Sequence, residues 1–409
     1  MARRRCLDAP YRFFKKEGAE LARRTRSKLD RLDEVLAEVR RQFQGGPLSS
    51  LLSVIEPELL SAQDALRGGI LGHEDAERLA LKVEGFMGHL PHEFGPRFLF
   101  DSAMIKAICE EWSQQGTYLS DLIIPFPSDE WGHLSVTYAR HGGSSVPVDL
   151  ILLPGGRGLE GADLLSYPFL CHELGHNVLF KHDHVFGPRF RPALEEYARS
   201  LQRRAIADRG SARQRAQSNV NELRRLWGPS ADHNNWSHEI AVDVIALWTC
   251  GPAYLATLQD ILEAEGLDPY QIGKSHPPYE VRSKALLFAS DKLGWAYYTD
   301  GIRRQMDAWR NSERGRGRGR TNTYLANASL DLTRECVDAS LFACETLGLP
   351  RCTPAFIEEI GDRIHDGGMP GFGSELLVTA WLRQNRLDGD AYEAWEREVK
   401  ESLCALVTL

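Results

Sequence analysis

The chain has 409 residues, 43% of them hydrophobic and 26% charged, an ordinary balance for a globular protein with a substantial core. Its formal net charge of -8 gives no general attraction to nucleic acid. No run reaches about 18 consecutive apolar residues, and no apolar segment follows the basic N-terminus, so neither a membrane span nor a secretory signal is expected.

In chain order, residues 10 to 90 read as helical. Leu21, Leu29, Leu32, Val35, Leu36 and Val39 recur at helical intervals between charges, and Gly45 and Gly46 end the pattern. Residues 1–115 are taken as an N-terminal helical region. The texture changes near residue 117. HLSVTYARH (133–141) and PVDLILLP (147–154) are strand candidates joined by a GGSS turn. HEIAVDVIALWTCGPAYLATLQDILEAEG (238–266) reads as two apolar helices broken at Gly251-Pro252. The stretch between, 191–227, is polar and basic, and reads as helix plus an exposed connector. Residues 116–300 would form the core domain. Residues 301–409 would form a C-terminal helical region with a flexible arginine–glycine loop at 311–323. The fold class expected is α+β, predominantly α. Eight cysteines at 6, 109, 171, 250, 336, 344, 352 and 404 form no CxxC pair. They suit the reduced thiols of a cytoplasmic protein.

The chemistry concentrates in FLCHELGHNVLFKHDH, residues 169–184. His172, Glu173 and His176 form HExxH. On a helix, residues i and i+4 share a face, so both imidazoles can point at one ion. Glu173 is turned about 100° from His172, near enough to face water at that ion. Two neutral imidazoles suit Zn²⁺. Pro168 fits the first turn of such a helix, and Leu170, Leu174 and Val178 form its buried stripe. HEDAE at 73 and HEFGP at 92 show that the dipeptide alone carries little.

A catalytic zinc takes three protein ligands, so one is still missing. His182 has the spacing of HExxHxxGxxH, but Leu179 stands where that pattern needs a glycine to turn the backbone. In a continuing helix His182 lies about 240° round from His176. His182 and His184 then read as a helix end, where histidine favours the dipole. The distant alternative is Glu239, with Asp243 four residues on, in an otherwise apolar helix. Two acids on such a helix are costly to bury unless paired or metal-bound. Glu239 would be the third ligand, and Asp243 would accept a hydrogen bond from the far nitrogen of a ligating histidine. His233 and His238 are further candidates nearby.

HExxH followed by a helix bearing ExxxD resembles the gluzincin group of zinc metallopeptidases. SHPPYEVR (275–282) is similar to the HPxxxxR stretch of the prenyl-protein and heat-shock membrane endopeptidases, through His276, Pro277 and Arg282. The resemblance covers roughly residues 145–290, and the membrane spans of that subgroup are missing. It implies a zincin-like catalytic core with a small sheet and active-site helices, the strand before the motif bordering the cleft. It also implies Zn²⁺ on His172, His176 and Glu239, Glu173 as general base and then acid, and Asp243 behind a ligand. His276, Tyr279 and Arg282 are the candidates, in that order, for stabilising an oxyanion. The activity implied is hydrolysis of a peptide or protein by a zinc endopeptidase. The GxMEN signature of related aminopeptidases and the cysteine-ligand motif of peptide deformylases are both absent. The alternative is a regulatory or binding protein with a retained structural zinc site. Nucleic-acid binding through RGRGRGR is disfavoured by the acidic balance and the lack of interleaved aromatics.

Overall fold

The computed structural model describes residues 8–44, 49–89, 96–114, 123–128, 132–139, 145–154, 159–206, 211–228, 235–264, 268–273, 276–313, 316–317, 321–365 and 368–407. Gly45, Gly46, the first three residues of the GGSS turn, His233, Ser275 and residues 314, 315 and 318–320 lie outside them. Contacts divide the chain into two compact units, residues 1–94 with 135–150, and residues 95–134 with 151–409.

The first unit holds three helices, α1 (Asp8–Phe43), α2 (Ser49–Arg67) and α3 (His73–His89). The helical spacing of Leu32, Val35, Leu36 and Val39 becomes a buried stripe, meeting Leu51, Ile55 and Leu59 of α2 and Ala76, Ala80 and Val83 of α3. Polar ties fix the register at the margins, Lys28 to Glu77 at 2.6 Å and Gln63 to Asp33 at 2.7 Å.

Helix α4 (Pro96–Gln114) opens the second unit. The strands are β1 (Ile123–Ser128), β2 (Gly132–Ala139) and β3 (Ser145–Pro154), and they form one sheet of order β1-β3-β2. The two strand candidates are thus found as β2 and β3, with β1 added from IIPFPS. The strand that precedes the motif is central in the sheet.

Helices then dominate: α5 (Pro168–Ile206), α6 (Ser211–Trp227), α7 (Trp236–Cys250), α8 (Pro252–Ala264), α9 (Tyr279–Leu293), α10 (Asp300–Asn311), α11 (Asn322–Asn327), α12 (Leu330–Thr346), α13 (Pro354–His365), α14 (Ser374–Gln384) and α15 (Gly389–Val407). The described part of the protein is predominantly α, as expected. No described helix is long and apolar enough to cross a membrane. The seven described cysteines form no disulfide.

The motif helices sit in the middle of this core. Helix α5 packs on α7, and α12 packs on both. Every residue of α7 is buried, Glu239 and Asp243 included. The expected break at Gly251 is present: α7 ends with Gly251 at φ 55°, and α8 starts at Pro252. A side chain at Gly251 would also come within 2.7 Å of Cys352 Sγ. The motif helix ends near the expected place: helical geometry is lost at His182 (φ -116°, ψ 23°), and across that kink a second helical run continues to Ile206.

Gly175, inside HELGH, permits the close approach of α5 and α7. A Cβ there would lie 3.1 Å from Val242 Cβ and Cγ1, tighter than ordinary contact. Gly175→Ala gains helix propensity of about 1 kcal/mol, which offsets most of the crowding. Gly175→Val adds bulk without that compensation and is expected to destabilise by about 1–3 kcal/mol. Urea unfolding of the two variants checks this; equal stability for both would contradict the tight seam.

Candidate metal centre

The helical spacing places His172 and His176 together on α5, with ring centroids 5.2 Å apart. His172, Glu173 and His176 offer ligand atoms that all lie within 4.8 Å of one another. No other such group of three histidine, cysteine or acidic side chains occurs among the described residues. This buried cluster has the donors to hold a metal ion.

Helix α7 brings Glu239 to the same place. Its Oε2 is 3.7 Å from His172 Nε2, and its Oε1 is 3.6 Å from His176 Nε2. The residue is 1% exposed, and Oε2 has no hydrogen-bond partner. A buried carboxylate oxygen that faces imidazole nitrogens without bonding them is what a cation between those groups would satisfy. Two carboxylates therefore border the cluster, Glu173 from the histidine helix and Glu239 from across the seam. The two Glu239 oxygens each face one of the two histidine Nε2 atoms, whereas Glu173 belongs to the tight triplet itself.

Asp243, one turn further along α7, is fully buried and lies behind His172. It takes His172 Nδ1–H at 2.9 Å, Arg282 Nε at 2.8 Å, Arg282 Nη2 at 2.6 Å and the Tyr254 hydroxyl at 2.5 Å. Burial alone would push its carboxyl up, but the Arg282 guanidinium and the bonds from Arg282 and His172 hold it well below the usual carboxylate range. Burial lowers the pKa of His172, against the opposing pull of Asp243. A neutral imidazole that donates an Nδ1–H hydrogen bond to Asp243 keeps its lone pair on Nε2, on the side of Glu239. Phe169 stacks on the same ring at 4.6 Å between centroids.

Burial pushes Glu239 up to about 8, more than the Arg282 charge can offset. Glu173 lies well above its ordinary value, through burial first and the neighbouring Glu239 charge second. Two carboxyl groups this close in a dry site do not both ionise easily unless positive charge is supplied.

Compared with protein-family models, curated proteins and solved structures, the chain has no match.

Of the three oxyanion candidates, His276 reaches the cluster, with Nε2 3.6 Å from Glu239 Oε2 and a side chain 63% exposed. Tyr279 opens α9 at the margin, its ring 5.9 Å from the Arg282 guanidinium carbon. Arg282 is buried, with two of its nitrogens on Asp243. His238 faces away from the cluster, its Nε2 3.5 Å from Asp183 Oδ1. The His182 and His184 rings lie beside each other at 5.7 Å. Tyr254 was not singled out by any motif; it follows Asp243 by 11 residues, across the Gly251 break.

Proposed function

We propose that the protein is a zinc-dependent peptidase of gluzincin type, with His172, His176 and Glu239 as the metal ligands. The observation that carries this is the buried Glu239 carboxylate: its unpartnered Oε2 lies 3.7 Å from His172 Nε2 and 3.6 Å from His276 Nε2, and its Oε1 lies 3.6 Å from His176 Nε2. A zinc ion held by these residues supplies Lewis acidity, polarising a carbonyl oxygen and making water more acidic. Glu173 takes the proton from attacking water and returns it to the leaving amine. Neutralising the Glu239 charge removes one of the causes that raise Glu173, and brings its carboxyl toward the range a base at neutral pH needs. His276, half in solvent on its turn, donates a hydrogen bond to the developing oxyanion. Tyr279 lines the margin. Arg282 acts from behind by holding Asp243, which holds His172. An internal peptide bond of a peptide or protein is the substrate favoured, since no feature of the sequence marks a subsite for a free amino terminus.

The test is digestion of a mixed peptide library by the zinc-loaded protein, read by mass spectrometry. New termini inside peptides should appear, vanish after metal removal and return with zinc. Stoichiometric zinc without any cleavage would overturn the peptidase reading. That result would favour the second one, a regulatory protein with a structural zinc, for which the approach of His276 as a possible fourth donor speaks.

A further inference from the structure

Tyr254 lies on α8, fully buried, where the Gly251 turn folds the chain back toward α7. Its hydroxyl is 2.5 Å from Asp243 Oδ1 and 3.3 Å from His172 Nδ1. The same Oδ1 also receives His172 Nδ1 at 2.9 Å and Arg282 Nη2 at 2.6 Å. Oδ2 receives only Arg282 Nε among these groups, at 2.8 Å. A carboxylate oxygen presents two lone-pair directions. Three donors on Oδ1 therefore compete, and the tyrosine holds the shortest of the three contacts.

We infer that Tyr254 is a positioning residue that moderates His172, its hydroxyl taking up part of the Asp243 charge that would otherwise pull on the His172 Nδ1 proton. The strength of that pull sets how much electron density His172 can offer a metal through Nε2. Asp243 and Arg282 would by themselves make His172 a strong donor. Tyr254 weakens the effect, which leaves a bound cation more acidic and less tightly held. The consequence for metal affinity rests on the metal-site reading above. The consequence for the His172–Asp243 hydrogen bond does not.

The experiment is Tyr254→Phe in the full chain with ¹⁵N-labelled histidine. The change removes one donor and leaves no other group unpaired, since Asp243 keeps Arg282 and His172. The His172 Nδ1–H resonance should move downfield, with and without zinc, and the zinc dissociation constant from chelator competition should fall severalfold. Fluorotyrosine at 254, a stronger acid of nearly the same shape, should move the resonance upfield and supplies the measurement if the phenylalanine variant folds poorly. An unmoved resonance, or weaker zinc binding in a folded Tyr254→Phe protein, overturns the inference. If instead His172→Ala and Glu239→Ala both keep full metal, the metal-site reading fails, while the resonance shifts still decide the role of Tyr254.

Discussion

Glu173→Gln is expected to retain metal and to lose hydrolysis by about two to four orders of magnitude, the usual contribution of a positioned general base. Glutamine keeps the size of the side chain and cannot accept the proton. The fold should tolerate the change well. Glu173 is 4% exposed, and in the metal-free protein burial and the neighbouring Glu239 shift its carboxyl toward the neutral form, which an amide imitates. Metal analysis and turnover, measured on the same preparation, separate two roles for this residue. Glu173 belongs to the tight triplet with His172 and His176. Loss of metal in Glu173→Gln would make it a ligand and assign the base elsewhere; retained metal with full turnover would remove it from the chemistry altogether.

Glu239→Ala is expected to abolish stoichiometric metal binding, whereas His182→Ala leaves it unchanged. Retained metal in the first variant, or lost metal in the second, would reverse the choice of third ligand. The wild-type site also predicts a pH dependence. In the metal-free protein the Glu239 carboxyl titrates near 8 when folded and near 4.5 in the ordinary range. The folded state thus holds the proton more tightly than the unfolded one, and this contribution is fully present below pH 4.5. It is lost as pH rises toward 8, by at most about 1.4 kcal/mol per pH unit. Metal competes with that proton, so its affinity should fall by about tenfold for each unit below pH 8. Asp243 acts in the opposite sense, but only in acid, below the usual carboxylate range. Chelation should therefore lower the melting temperature more at pH 8 than at pH 6, and Glu239→Gln should remove that difference. Equal effects of chelation at both pH values would contradict a buried carboxylate at the metal.

The parts of this site that were legible in the sequence are those governed by local helical geometry. His172 and His176, and separately Glu239 and Asp243, are pairs at i and i+4, and each pair falls on one face of its helix. The cost of burying two acids in an apolar helix pointed to their joint use, and the two pairs do meet. The Gly251-Pro252 break was legible because a positive φ and a missing amide both interrupt a helix. What was not legible depends on tertiary contact. Tyr254 meets Asp243 only because α8 folds back at Gly251. Arg282 could be seen as a motif residue, but not as one committed to Asp243. Gly175 sits in the variable part of HExxH, and its contact with Val242 exists only once α7 is docked. The break at His182 was legible as a helix end, but the second helical run that starts directly beyond it was not, since that run, with Pro188 and Pro192, has no clean helical stripe.

Helix α7 has no solvent-facing side along its whole length. A helix with no free face cannot swing outward or fray by itself, so the Glu239 wall yields only when the core itself opens. Among the described residues of the cluster, the His176 and His276 side chains are the ones that reach solvent, 19% and 63% exposed, so Glu239 forms a fixed wall and those two histidines the approachable side.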